Sequence, residues 1–339
     1  MSSRRSFFSF IDEFFHTYSL FIAETESILL IRMAIWIGLI LPAGLWLILF
    51  LNDDIWWLEN VTGYPALFAG LYLGMLGLCF ITKHWAKSAV CAGLSCVFFL
   101  LTPVKARTVL ANCSNSVSIL QYNVFYDNPD SNSLISYLAN HPADLVALQE
   151  VSPKLGDKLK SLSDLYPYMY GGQEGVGYPS GQMILSRHAL TDSSVFMTPD
   201  EQSIIRTTWQ VGPQQAITIF AAHPPSPRTK ALWHRRNALM KTIESLNHQY
   251  PSDEVLVIGD FNLSSRSLRF TKLFLGFQTA PVASWPNWTN LFQTPEASMI
   301  AIDHLWLKSA SGLRRICQRD SLSHPQGSDH KMIRTTIGY

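Results

Sequence analysis

Charged side chains are scarce in this sequence: Asp, Glu, Lys and Arg make up 15% of its 339 residues, against about 25% in an ordinary soluble domain. With 47% hydrophobic residues beside them, that scarcity excludes intrinsic disorder, whose chains are polar and highly charged. A surplus of positive charge is missing too, since the formal net charge is +1. Strong nucleic-acid binders draw most of their affinity from a basic surface, and none shows here. Five cysteines are too few for a disulfide-stapled miniprotein of this length. Internal repeats and low-complexity tracts are absent, which excludes solenoids and arrays. A cleaved secretory leader is not indicated either, because the first apolar run starts late and runs long.

What is present divides near residue 110. Residues 1–110 carry seven basic and seven acidic residues, and 111–339 carry 19 and 18, with eight of the ten histidines. Residues 33–51 (MAIWIGLILPAGLWLILFL) run 19 positions without a charge, close to the ~20 needed to cross ~30 Å of hydrocarbon. Residues 61–82 and 88–104 are a second and third candidate, so an all-α module of three transmembrane helices is expected over 28–110, the alternative being buried helices of a soluble core. Ahead of it, residues 6–24 place Phe7, Phe10, Phe14, Tyr18 and Phe21 at spacings of three and four. That stripe predicts an amphipathic helix within 1–27, either flat in the membrane interface or packed on the transmembrane helices.

Lys and Arg near span ends favour the cytoplasmic side. Arg4, Arg5, Arg32, Lys83 and Lys87 fall on one side, Lys105 and Arg107 on the other, while the first loop (52–60) has only acidic charges. The expected address is the inner (plasma) membrane, multi-pass, with the C-terminal domain periplasmic if the source is bacterial. Cys79, Cys91 and Cys96 lie in the spans. Cys113 and Cys317 lie outside them and could pair in an oxidising compartment, or remain separate thiols.

From Val117 the texture changes to short β-rich runs. Strands are predicted over 117–122, 144–148, 182–185, 204–211, 216–222, 254–258, 301–307 and 331–337, and helices over 134–140 and 229–249. Strands with few long helices between them argue for a mixed-sheet α+β sandwich over 111–339, not a doubly wound parallel sheet. The polar residues at the strand ends form an ordered set. Asn123 ends SILQYN, Glu150 ends DLVALQE, and His223 ends AITIFAAH. Asp260 and Asn262 end EVLVIGDFN and point the same way, with Phe261 between them facing the core. Asp303 begins IDHLWL, and Asp329 and His330 begin the last strand. If those last strands run antiparallel to the earlier ones, all these side chains meet on one rim. Taken singly each residue is an ordinary turn former, cap or buried histidine; the order carries the weight.

The order N…QE…H…GDFN…IDH…SDH resembles the endonuclease/exonuclease/phosphatase (DNase I-like) family over about residues 117–339, as a membrane-anchored bacterial member. The resemblance implies a four-layer αββα sandwich of two mixed sheets and metal-dependent hydrolysis of a phosphate ester, usually with Mg²⁺, Mn²⁺ being an alternative. By motif, Glu150 is similar to the family's main metal-ligating carboxylate, with Asn123 and Asp329 near the metal. Asp260 and Asn262 match the pair that positions the attacking water and binds the phosphate. His330 matches the histidine on the scissile phosphate, Asp303 the carboxylate that orients it, and His223 the histidine serving the leaving oxygen. Mg²⁺ suits such a set of few oxygen ligands with open positions.

Two departures narrow the substrate. Phe125 stands where abasic-site endonucleases tend to carry an acid, and the inositol-phosphatase signatures around GDFN and SDH are missing. Arg228, with Lys230, Arg235, Arg236 and Lys241, is either an anionic-substrate surface or a solvated helix face. Trp285, Trp288 and Trp306 either line a pocket or fill the core. The expected partners are a membrane and a phosphodiester, in nucleic acid or a phospholipid headgroup. The alternatives are a phosphomonoesterase acting on a small or lipid phosphate, or a catalytically inactive membrane-bound binding module.

Overall fold

The computed structural model describes residues 27–102, 105–172, 181–213, 215–288 and 294–339; the expected amphipathic segment 6–24 lies outside them. The chain forms two compact units. Among the described residues one contains 27–48 with Phe68–Phe98, the other Leu49–Leu67 with 99–339. The sequence division near residue 110 thus leaves out a piece of the second unit.

The first unit is built from α1 (Ser27–Phe50), α2 (Pro65–Ile81) and α3 (Trp85–Leu101). Among the described residues α1 alone, at 24 residues, is long and apolar enough to cross a membrane. The other two are apolar helices of 17 residues each, so the expected three full spans reduce to one by that measure. Pro65 fixes where α2 starts, and a reversal at Lys83 (φ 61°) ends it early. Pro42 removes a backbone donor inside α1. Right beside it the Tyr72 hydroxyl enters the helix ladder, accepting from the Ala43 amide and donating to the Leu39 carbonyl, both at 2.9 Å.

The second unit contains two mixed sheets. The strands of the first are β1 (Arg107–Val109), β2 (Val117–Asn123), β3 (Leu145–Gln149), β4 (Tyr168–Gly171), β5 (Met183–Ser186), β12 (Arg315–Ser321) and β13 (Ile333–Gly338), in the order β1-β12-β13-β2-β3-β5-β4. The second sheet comprises β6 (Leu190–Met197), β7 (Ser203–Gly212), β8 (Gln215–Ala222), β9 (Glu254–Asp260), β10 (Gln278–Thr279) and β11 (Asp303–Ser309), in the order β10-β11-β9-β8-β7-β6. Among the described residues, only β2–β3 and β8–β9 pair in parallel.

Period-two alternation sorts the side chains of each strand. Ile119, Leu145 and Ile184 from one sheet meet Ile219, Leu256, Ile258 and Leu305 from the other in the central core. On the outer face of the first sheet, α4 (Ser131–Asn140) and α5 (Pro153–Leu159) contribute Leu134, Leu138, Leu155 and Leu159. On the outer face of the second, α6 (Lys230–Gln249) buries Leu239, Met240, Ile243 and Leu246. This is the expected αββα layering. Asp130 caps α4 by accepting from Ser133 N, and Thr229 caps α6 by accepting from Leu232 N.

Cys113 and Cys317, whose pairing the sequence leaves open, form a disulfide with Cα atoms 6.0 Å apart. The Leu110 and Ala111 amides both donate to the Cys317 carbonyl, at 2.8 and 3.2 Å. That edge pairing brings the segment before β2 alongside β12.

Candidate active site

The two parallel pairs end at the same rim, and β11 and β13, antiparallel to β9 and β2, begin there. Register does the rest. Asn123 pairs with Gln149, so Glu150 follows directly beside it. Asp303 lies opposite Asp260. His223 follows β8, whose Ala221 pairs with Ile258. Gly259 permits the close approach of these strands, since a Cβ there would lie 1.8 Å from the Ala222 carbonyl oxygen. Three rim residues hold left-handed backbone, Phe125 (φ 60°), Glu150 (φ 57°) and Asn262 (φ 50°). Such conformations cost of order 1–3 kcal/mol in a non-glycine residue and cluster at functional sites.

Oδ2 of Asp260 is the hub. Asn123 Nδ2 donates to it at 3.0 Å, and Asn262 Nδ2 lies 3.5 Å away. His223 Nε2 stands at 3.5 Å and His330 Nε2 at 3.6 Å. The other oxygen of Asp260 accepts from the Asn262 amide at 2.8 Å. Asn123 Nδ2 also donates to Glu150 Oε1 at 2.9 Å, and the second Glu150 oxygen accepts from Tyr126 N at 3.0 Å. His330 Nδ1 donates to Asp303 Oδ2 at 2.8 Å. Asp329, exposed on the other side of the cleft, accepts from Trp285 Nε1 at 3.0 Å. Arg228 lines the same cleft, a cavity of about 490 Å³.

Burial alone would discharge these groups. It opposes the charged form of His330, but Asp303 and Asp260 outweigh it and lift the imidazole to about 10. His223 is raised as well, with burial against it and Asp260 and Glu150 for it. Asp260 stays ionised at about 2 despite burial, because His330 and His223 face it. Asp303 moves the other way: burial, with the Asp260 charge added, raises it against the pull of His330. The two partners of the Asp303–His330 bond are thus both raised. We assign the ion pair, since Asp260 and Asp329 add to the field that keeps the ring charged.

Asp260, Asp303 and His330 lie close enough to hold a cation, with one ligand atom of each within 4.8 Å of the others. The chemistry of that trio disfavours it. A ligating imidazole must offer a nitrogen lone pair, whereas both His330 nitrogens already face carboxylates, Nδ1 Asp303 at 2.8 Å and Nε2 Asp260 at 3.6 Å. Glu150 fits better: its carboxylate is part-exposed to the cleft and each oxygen has a single hydrogen-bond donor, leaving lone pairs free. The Asn123 amide spreads across both carboxylates, and its oxygen accepts from Phe125 N at 3.0 Å, with one lone pair to spare.

Two readings that the sequence left open resolve here. The basic stretch divides: Arg228, Lys230 and Lys241 are exposed, Arg228 at the cleft, whereas Arg235 pairs with Asp200 at 2.7 Å and Arg236 is fully buried against Glu59. Of the three tryptophans, Trp285 lines the cleft, Trp306 sits in the core against Phe261, and Trp288 is exposed. Sequence reasoning also missed Glu59 and Asn60. Asn60 Nδ2 donates to the Asn262 carbonyl at 3.1 Å, Arg236 Nη1 donates to the same carbonyl at 2.9 Å, and Ser264 N donates to Asn60 Oδ1 at 2.8 Å. The signal was faint: one of three acids in a short loop between apolar runs, followed by an Asn.

With this geometry in place, comparison with known proteins defines the class. Residues 120–330 match the endonuclease/exonuclease/phosphatase family, and the chain belongs to that family, a group of phosphate-ester hydrolases. The same fold occurs in a humanized TDP2 from D. rerio, at 20% identity and TM-score 0.55, covering 67% of this chain and 100% of that one. A functionally unknown conserved protein from Enterococcus faecalis is similar at 20% identity and TM-score 0.53, over 65% of this chain and 99% of that one. The human Nocturnin catalytic domain is similar at 17% identity and TM-score 0.50, over 68% and 96%. No curated protein matches the chain.

Proposed function

We propose that the protein is a membrane-anchored, divalent-metal-dependent phosphodiesterase that hydrolyses its substrate by attack of water, with Mg²⁺ as its ion and Mn²⁺ as a substitute. The observation that carries the reading is the Asp260 carboxylate, kept ionised in a cleft between two histidines that are both driven toward their charged forms. Asp260 orients the attacking water and accepts its proton. Asn262 and Arg228 hold phosphate oxygens. His330, fixed by Asp303, donates to a phosphoryl oxygen as charge builds there, an interaction strongest in the transition state. His223 gives a proton to the leaving oxygen, which favours a diester over a monoester. Glu150, with Asn123 and Asp329, would hold the ion, which when bound neutralises charge on the phosphoryl and leaving oxygens.

Membrane attachment is supported by α1 and by large apolar side chains left open on the helices, including Ile31 at 59%, Leu41 at 62% and Leu73 at 62% exposure. Patches of that kind mark lipid or partner contact. An extracytoplasmic location is supported by the Cys113–Cys317 bond and by the Lys and Arg distribution. Arg107, which breaks that distribution, pairs with Asp320 at 3.3 Å within the folded domain.

Purified full-length protein in detergent should hydrolyse bis-p-nitrophenyl phosphate, stop on chelation, and recover with Mg²⁺ or Mn²⁺. Glu150→Gln should raise the Mg²⁺ concentration needed about tenfold or more, the scale seen for weakened metal sites. Turnover that survives chelation would remove the metal from the proposal, and a folded but inert protein would remove the reaction.

A further inference from the structure

The segment joining α1 to α2 belongs to the same compact unit as the catalytic rim. It is held there by a buried ion cluster. Glu59, 3% exposed, accepts from Arg269 Nε at 2.9 Å, Ser267 Oγ at 3.1 Å and Trp233 Nε1 at 2.7 Å, and pairs with Arg236. Gly63 presses so close that a Cβ would lie 2.5 Å from Ser264 Oγ. The segment is a fixed wall of the enzyme.

That wall closes a second cavity of about 260 Å³, lined by Trp56, Trp57, Val61 and Tyr64 on one side and by Ile300 and Ile302 on the other. It opens into the catalytic cleft: Ser226, Arg228, Asn262 and Trp285 line both. We infer that this cavity is a subsite for the apolar moiety of an amphiphilic phosphodiester, a membrane phospholipid, whose phosphate lies in the adjoining cleft. The inference rests on the hydrolase reading of that cleft and adds its substrate class.

Three observations favour a lipid over a nucleobase. Away from the shared edge with the cleft the walls are mostly apolar, from Trp56, Trp57, Val61, Ile300 and Ile302, and the Asn60 amide, a group that could read a base edge, already bonds the Asn262 carbonyl and the Ser264 amide. The cavity is smaller than the about 300–1,000 Å³ of a complete ligand pocket, so it suits one part of a substrate whose remainder stays outside. The wall is also tethered to apolar helices. Tyr64 immediately precedes α2, and Trp56 lies six residues after Phe50, the end of α1, a reach of at most about 22 Å of extended chain. Tryptophan and tyrosine at such a position are the usual residents of a membrane–water interface.

The test uses full-length protein in one detergent with Mg²⁺ or Mn²⁺ and three chromogenic diesters that share a p-nitrophenolate leaving group: the methyl, hexyl and 5′-thymidyl p-nitrophenyl phosphates. The hexyl ester should exceed the methyl ester in kcat/KM by about tenfold or more, because several methylenes leave water. Trp57→Ala should bring that ratio close to one and Trp57→Phe should restore much of it. Partition into micelles is the same for all variants, so it cannot mimic the loss. A preference for the thymidyl ester, or a hexyl-to-methyl ratio indifferent to Trp57→Ala, overturns the lipid subsite while leaving the hydrolase intact. Turnover of none of the three overturns the hydrolase reading, and the subsite with it.

Discussion

At the scale of single residues, the site works by placing charge where burial would forbid it. The His330 ring is charged because Asp303 holds one nitrogen and Asp260 faces the other. His330→Ala should therefore cut kcat by about 10²–10³, the usual scale for removing a donor that stabilises transition-state charge, with KM little changed. Asp303→Asn should cost less, since the imidazole stays in place. Steady-state kinetics on a soluble diester separates the two, and equal losses would mean that Asp303 does more than orient the ring.

Away from the rim, Asp144 gives a pH prediction. Partial burial works against its charge, but Ser118 donates twice to Oδ2 (amide 2.7 Å, hydroxyl 2.9 Å) and His188 lies 3.3 Å from Oδ1, so its pKa is lowered. A lowered folded value means the stabilisation is complete above the unfolded value of about 3.9 and fades as pH falls through it toward the folded one. Asp144→Asn should cost about 1–3 kcal/mol at pH 7 and progressively less below pH ~4, measured by urea unfolding across that range.

At the scale of elements, the segment between α1 and α2 is tied to α6 and to the loop after β9 by one carboxylate. Glu59→Gln leaves the fully buried Arg236 without its anion and the partly buried Arg269 with only Asp54, at 3.9 Å. Breaking a buried ion pair from one side costs about 3–5 kcal/mol, whereas replacing both partners by apolar residues is often near neutral. Glu59→Gln should lower the unfolding midpoint sharply and raise hydrogen exchange around Asn262, whose carbonyl is held by Asn60 and Arg236. Adding Arg236→Met should recover part of the loss. A single variant as stable as the parent would show that water, not Glu59, compensates the guanidinium.

At the scale of the whole molecule, Glu59 also constrains topology. The segment that carries it and the catalytic rim form one compact unit, so a bilayer cannot separate them. Under the orientation we propose from the Lys and Arg distribution, both lie on the side opposite the N-terminus. Alkaline phosphatase fused after Asn112 should be active, and a fluorescent cytoplasmic reporter there should be dark; the reverse result overturns the orientation. Reducing Cys113–Cys317, which spans 204 residues of sequence, should destabilise the catalytic unit by about 2–4 kcal/mol, read as a lower midpoint in denaturant with dithiothreitol.

The sequence by itself determined the apolar strands and the family, because strands alternate with period two and the candidate site residues sit at their ends, where local pattern is strongest. Asn123, Glu150, His223, Asp260, Asn262, Asp303 and His330 could be read in order before any contact was known. The eight apolar strands were legible for the same reason. The polar or short ones were not: β6 carries Asp192, Ser193 and Ser194, β10 has two residues, and β12 buries Arg319 against Thr335, Ala280 and Gln121. Only the tertiary structure decided that Arg236 is a core residue, that Glu59 and Asn60 of an inter-helix loop belong to the active-site unit, and that two cysteines 204 residues apart are bonded. Each of these depends on one residue meeting a distant partner. Such a meeting leaves no periodicity along the chain; it exists only once the sheets have set the register.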